Sequence, residues 1–407
     1  MITPTKQQQQ QQQTKKVAAS EEHGLSPHLI KAQADADYRN QSPFFAWAFV
    51  IFCTASFYIG PLLLLSPFLL VHFHPQAAGL LFCTNLFLAF HPVSPWPRFR
   101  QWCQSFYTIF NFHHNMTPLL DEIARKENRL SIIAMHPHAI IPLHGFLWGA
   151  ICDQLLPHMY GYGGTTEFAM RLPVLRHILQ YLSVGSANKE RILMEMQTNG
   201  QNLFILPGGV AEIFLSHRRQ QQSDNNTTLL PNTQTIKARR YGLMKLALET
   251  GAIIYPAFVF GATDLLDQLT PVEKRSRDDN DHSRKTTTML DFLGNMMQFM
   301  SRKIKGGLTV FYGRYYLPIP YTPQLSMVLG NPIHPVVEIE DKDNAASSST
   351  AMKDNVRGEK KRTCRRVENP TTEQVEELTE RYVDALQCLF EQYKEEAGFP
   401  NDSLQII

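Results

Sequence analysis

Between Asn40 and Pro97 the chain has no aspartate, glutamate, lysine or arginine, although 19% of the whole sequence is charged. A run this long without charge excludes an ordinary solvated surface segment. Phe44 to Phe73 is almost wholly apolar and Ala77 to Phe90 nearly so. A bilayer core takes about 20 apolar residues per helical span, so the first stretch is long enough to cross and the second is marginal. Gly60-Pro61 and His74-Pro75 interrupt the run where a kink and a tight turn would form. A membrane hairpin returning to its starting side is therefore expected over 40–97. Arg39 before it, and Arg98 and Arg100 after it, would keep both ends in the cytosol. A buried helix pair of a soluble protein is the alternative.

Other absences narrow the function further. The six cysteines, Cys53, Cys83, Cys103, Cys152, Cys364 and Cys388, lie far apart with no CxxC pair and no zinc-type spacing, which suits reduced thiols facing the cytosol. With 39 basic and 37 acidic residues the net charge is +2, so charge gives no argument for a nucleic-acid partner. Met1 to Gln13 is polar, ends in seven glutamines and lacks the apolar stretch of a signal peptide; residues 1–39 are expected to form a disordered polar tail. No GxSxG elbow supplies a nucleophilic serine, and no internal repeat is present.

What is there fits one catalytic domain. The 407 residues, 43% of them hydrophobic, leave a core of about 250–280 residues once tails and inserts are set aside. From Ser131 short apolar runs alternate with amphipathic stretches, the rhythm of an α/β fold: a mostly parallel sheet flanked by helices, behind an N-terminal transmembrane helical hairpin. Strands are expected at Ile132 to Met135, Asn202 to Leu206, Ile253 to Val259, Leu308 to Tyr312 and Met327 to Leu329. Helices are expected near Val174 to Leu182, Glu190 to Gln197 and Tyr241 to Thr250. The domain runs over 98–400, with polar insertions at 216–235, 272–288 and 341–369. The third carries Lys360, Lys361, Arg362, Arg365 and Arg366, a solvated loop or a contact for anionic lipid head groups. A last helix follows Pro370: Thr371 and Gln374 make a capping box, Val375, Leu378, Tyr382, Leu386 and Leu389 mark its apolar face, and Gly398 ends it.

Three segments carry candidate chemistry. His136-Pro137-His138 stands where a parallel strand would end, the usual place for active residues in an open α/β sheet. The proline fixes one backbone angle, and an imidazole of ordinary pKa about 6.5 can take a proton from an alcohol near neutral pH. Packing histidines fit the same spacing, as would a metal site except that no third ligand is obvious. Leu206-Pro207-Gly208-Gly209-Val210-Ala211-Glu212 also follows an expected strand. Its glycines allow close backbone approach and could aim amides at a developing oxyanion, with Glu212 orienting a histidine or the acceptor, although a plain turn reads the same way. Arg239-Arg240 opens a helix and could hold phosphates there, or simply face solvent.

Taken in order, these segments resemble the type 2 diacylglycerol acyltransferase family, which includes monoacylglycerol and wax-ester forming members. The likeness spans His136-Pro137-His138-Ala139, Arg171 to Arg176, Gly208 to Glu212, Arg240 to Gly242, Pro256 with Phe260-Gly261, Gly330 to Ile333 and Gly398-Phe399-Pro400. Ala139 stands where the family's first block has glycine, and Ala262 where many members have glutamate.

The resemblance implies acyl transfer from acyl-coenzyme A to the hydroxyl of diacylglycerol, giving triacylglycerol, without metal or prosthetic group. Monoacylglycerol or a long-chain alcohol is the alternative acceptor, and a catalytically silent lipid-droplet anchor the alternative role. By this resemblance His138 is the general base, His136 positions or polarises it, and Glu212 fixes the imidazole or the acceptor. Arg239, Arg240, Gly208 and Gly209 would meet the acyl-coenzyme A. An endoplasmic-reticulum membrane with a cytosolic catalytic face is implied, and a homo-oligomer is left open.

Overall fold

The computed structural model describes residues 22–215, 233–268, 296, 299–301, 306–307, 309–335 and 366–407. Its centre is strand β3, Ser131–His136, whose six residues are all buried. Successive strand residues face opposite sides. Ile133 and Met135 therefore enter one core, and Ile132 and Ala134 the other. Both faces of the sheet are covered, which is why this strand reads as an unbroken apolar run rather than an alternating one.

The eight-stranded sheet has the order β1 (Leu25–Lys31), β2 (His113–Met116), β11 (Ser326–Leu329), β8 (Ile253–Phe260), β3, β6 (Asn202–Ile205), β4 (Gly161–Thr165) and β5 (Val184–Ser186). It is parallel from β8 through β5. The sheet is nevertheless mixed. β11 was expected in parallel and instead runs antiparallel to β8, pairing Ser326 with Phe260 and Leu329 with Ala257. Gly261, at φ +79°, turns the chain at the end of β8, and a strand that starts where its neighbour finishes runs back without a crossover. Two small ribbons complete the strands: β7 (Thr233–Ile236) pairs in parallel with β12 (Ser403–Ile406), and β9 (Asp267–Gln268) antiparallel with β10 (Phe311–Tyr312).

Two expected boundaries need correction. The segment expected to be disordered as far as residue 39 contains β1, which pairs antiparallel with β2. Leu25 is buried, the Leu29 amide donates to Glu396 at 2.8 Å and the Tyr393 hydroxyl donates to the Ser26 carbonyl at 2.6 Å, so residues far along the chain hold it. The first insertion ends sooner than expected, because Thr233 to Thr235 belong to β7. Otherwise the expected insertions, the polyglutamine and Leu308 lie outside the described residues, except that Val367 donates to the Leu248 carbonyl.

The apolar N-terminal run forms one long helix, α1 (Pro43–Leu70), followed by α2 (Pro75–Phe90). Pro67 has no amide to give the Leu63 carbonyl one turn back. Asn85 of α2 donates to that carbonyl at 2.6 Å, which accounts for a buried asparagine in an apolar helix. The first half of α1 is packed on the domain through Phe49, Val50, Cys53 and Gly60, and Thr54 donates to the Pro318 carbonyl at 2.6 Å. A Cβ on Gly60 would lie 2.9 Å from the Pro173 carbonyl oxygen, so glycine is what permits this approach. Beyond Pro61 most side chains of α1 face outward.

Four further helices matter to the site: α3 (His144–Leu155), α4 (Leu175–Tyr181), α5 (Val210–Leu215) and α6 (Tyr241–Thr250). α1 and α3 cover one face of the sheet; α6 and the closing helix α7 (Thr372–Tyr393) cover the other. The capping box at Thr371 and Gln374 is present with both hydrogen bonds.

Candidate active site

β3 delivers His136 to its C-terminal end with the ring completely buried. α5 brings Glu212 to meet it, equally buried, with Oε1 2.8 Å from His136 Nδ1. A carboxylate only accepts, so Nδ1 carries a proton. Glu212 also receives the His138 amide on Oε2 at 2.7 Å and the Lys237 amide, just past β7, on Oε1 at 2.8 Å. Burial alone would push its carboxyl pKa up; the His136 ring and the two amides outweigh this and hold it below the ordinary value.

This geometry explains the glycines. A Cβ on Gly208 would lie 1.7 Å from the Glu212 carboxyl carbon, so the carboxylate occupies the place a side chain would need. Gly209 adopts φ +55°, and its amide closes a turn onto the Leu206 carbonyl at 3.1 Å, which engages one of the donors expected for an oxyanion. Arg240 straps the same turn, giving Nε to the Pro207 carbonyl at 2.8 Å and Nη2 to the Gly208 carbonyl at 2.7 Å. Arg239 pairs with Glu380 on α7. The two arginines expected to meet phosphate are thus engaged within the protein.

His138 is only half-buried and lines a pocket of about 270 Å³ walled by Phe57, Phe146, Trp148, Phe204 and Leu206. Gly145, Gly149, Gly161, Gly163 and Gly164 also line it, leaving room for an extended apolar ligand. His138 Nδ1 lies 2.8 Å from the Ala139 carbonyl, which can only accept, so the proton sits on Nδ1 and Nε2 keeps its lone pair. Apolar surroundings are the largest influence on this ring and set its pKa below 6.5, partly countered by the Ala139 carbonyl and Glu212. It is neutral at pH 7, as a base must be.

Ala139 holds φ +58°. An L-residue pays about 1–2 kcal/mol there, against about 0.5–1 kcal/mol of extra chain entropy for glycine. Ala139→Gly should therefore raise unfolding free energy by about 0.5–1 kcal/mol in detergent denaturation. A lower midpoint would mean that packing of the buried methyl outweighs the backbone strain.

Sequence reasoning missed His144, Tyr382 and the Lys237 amide. Tyr382, expected only as part of the apolar face of α7, sets its ring 6.3 Å from that of His136 and its hydroxyl 3.4 Å from the Ala134 carbonyl. His144 opens α3, is fully buried, and neither ring nitrogen has a hydrogen-bond partner among the described residues. Burial, then the neighbouring His138, push its pKa down to about 3. The unfolded chain binds a proton near pH 6.5 where the folded one does not, so stability is complete above that value and falls as pH drops towards 3. We expect His144→Leu to flatten the melting-temperature profile between pH 6.5 and 4, since one proton contributes up to about 1.4 kcal/mol per pH unit. An unchanged slope would show that His144 is not held neutral in the fold. A lone histidine in an apolar stretch was the only sequence signal.

The family described as "Diacylglycerol acyltransferase" matches residues 71–348 and 354–407. The chain is 26% identical over 280 residues to "Diacylglycerol O-acyltransferase 2-like protein 6" of Mus musculus, covering 66% of this chain and 67% of that one. It is 25% identical to "2-acylglycerol O-acyltransferase 1" of Bos taurus, covering 68% and 69%, and 26% identical to "Acyl-CoA wax alcohol acyltransferase 1" of Homo sapiens, covering 74% and 76%. No solved structure matches it.

Proposed function

This chain belongs to the diacylglycerol acyltransferase family, and from that premise we propose that it moves a fatty acyl group from acyl-coenzyme A to the free hydroxyl of diacylglycerol, forming triacylglycerol. The observation that carries the reading is a neutral His138 on the wall of an apolar pocket, its backbone fixed by the buried Glu212 that also fixes His136. In this reading His138 Nε2 accepts the hydroxyl proton while the alcohol oxygen attacks the thioester carbon. The new C–O bond forms, the C–S bond breaks, and the coenzyme A thiolate leaves to take up a proton. The acyl chain lies along the glycine-lined pocket. His136 acts behind the reacting centre, keeping Glu212 and hence the His138 backbone in place. Neither a metal nor a prosthetic group enters these steps.

Membrane attachment belongs to the same proposal. α1 has 28 residues, about 42 Å of helix. With its first half packed on the domain, Pro61 to Leu70 projects about 15 Å, half of a hydrocarbon core of about 30 Å. α1 and α2 would form a hairpin that enters and leaves through the cytosolic face of the endoplasmic-reticulum membrane. Arg39 and Arg98 flank it there, whereas Arg100 is drawn into the domain by Asp153 at 3.0 Å.

Expression in a cell that makes no neutral lipid, with products identified by mass, tests the reaction and its acceptor. Triacylglycerol is expected. Wax ester or diacylglycerol instead would move the acceptor to a long-chain alcohol or monoacylglycerol, as the names of two relatives suggest. No product at all would favour the silent anchor.

A further inference from the structure

A second cavity lies outside the catalytic pocket. It is an open groove of about 450 Å³, walled by α1, the end of α2, the short helix Pro97–Trp102 and α4. Its surfaces are Phe49, Phe52, Trp96, Trp102, His177 and Tyr181 with apolar neighbours, and none of its described lining residues is Asp, Glu, Lys or Arg. The rim is open: Phe45 is 41%, Phe52 44% and Trp96 37% exposed.

Three observations indicate what would fill it. The volume falls in the range of about 300–1,000 Å³ usual for small-molecule sites. Among the described residues no Lys or Arg lines it to receive a phosphate or carboxylate, and Arg176 beside it gives Nη1 to the Leu88 carbonyl at 2.7 Å and Nη2 to the His91 carbonyl at 3.0 Å. His177 lines the groove, and its Nδ1 has no hydrogen-bond partner among the described residues; the atom is covered in this conformation, so a ligand reaches it only as the ring turns. Burial first, then Arg176 and His91, lower the pKa of that ring, so it offers neutral hydrogen bonding suited to an ester or hydroxyl.

α1 and α4 wall both cavities. α1 turns Phe57 into the catalytic pocket and Phe49 and Phe52 into the groove, while α4 turns Leu179 into the pocket and Ile178 and Tyr181 into the groove. We propose that this groove is a second lipid site that holds an uncharged acylglycerol beside the catalytic pocket and supplies the acceptor to it. The proposal rests on the acyltransferase reading above.

Its tryptophans report on it. Trp96 and Trp102 line the groove, whereas Trp148 lines the catalytic pocket and Trp47 lines neither, and these two are silenced by Trp47→Phe and Trp148→Phe. The full-length Trp47→Phe/Trp148→Phe protein in vesicles is titrated with diacylglycerol brominated along its acyl chains, and separately with brominated phosphatidylcholine at the same mole fraction. Saturable quenching by the diacylglycerol alone is expected, and Ala48→Phe, which fills the groove from α1, should abolish it. In the otherwise wild-type chain Ala48→Phe should raise KM for diacylglycerol on the order of tenfold while leaving KM for acyl-coenzyme A and kcat unchanged. Equal quenching by both lipids would assign the groove to bulk bilayer and overturn the proposal, as would no quenching. If the wild-type preparation turns over without selective quenching, only the groove is lost; if it makes no acylglycerol product, the acyltransferase reading itself fails.

Discussion

His138→Ala should lower turnover by about 10²–10⁴, the contribution of a positioned general base, with little change in stability. The substitution keeps the backbone amide that Glu212 binds at 2.7 Å and removes only a ring on the pocket wall. His136→Ala should behave differently. It removes the side-chain ion-pair partner of a carboxylate with no solvent contact, a change that typically costs about 3–5 kcal/mol, so activity and folding fall together. Comparing the two variants for activity lost per unit of stability lost therefore identifies the base. Near-normal turnover in folded His138→Ala would shift the role to His136 Nε2, which has no hydrogen-bond partner among the described residues. The wild-type pH profile gives a second check: the acid limb of kcat/KM should have its midpoint below 6.5, because apolar surroundings favour the neutral ring of His138.

What could be read from the chain depended on whether the cause was local. β3 and β8 are continuous apolar runs because both faces of the sheet are covered, and α7 announces its start through a capping box between residues three apart. The polar strands β1, β7 and β12 carry no such signal. Their order comes from partners far away in sequence, as when Ser403 to Ile406 pairs with Thr233 to Ile236. β4 reads as a turn, Gly-Tyr-Gly-Gly-Thr, yet a Cβ on Gly161 would lie 2.2 Å from the Asn202 carbonyl oxygen, so glycine there serves close strand packing. At the site the histidine block and the glycine block were legible as residue types. Arg240 was read for its charge, while the structure engages its guanidinium with two backbone carbonyls that no side-chain pattern reveals.

The same contrast gives the second large effect. Glu212→Gln replaces a carboxylate that accepts hydrogen bonds from His136, His138 and Lys237 with one acceptor oxygen and a donor that must face an N–H. Each buried donor left unpaired costs about 1–3 kcal/mol. Release of the His138 backbone should lower kcat on the order of 10²-fold, as expected when a reacting group shifts by about 1 Å. A pair of alanine variants separates this account from one in which the glycines merely let a ligand approach. Gly208→Ala leaves Glu212 chemically intact but puts a methyl 1.7 Å from its carboxyl carbon, so it should reproduce the Glu212→Gln loss. Gly209→Ala meets no atom within 4 Å and should cost only the strain of φ +55°, about 1 kcal/mol of stability with turnover kept. The reverse pattern, an active Gly208→Ala and an inactive Gly209→Ala, would mean that the turn serves a ligand directly and that Glu212 is not what the glycine makes room for.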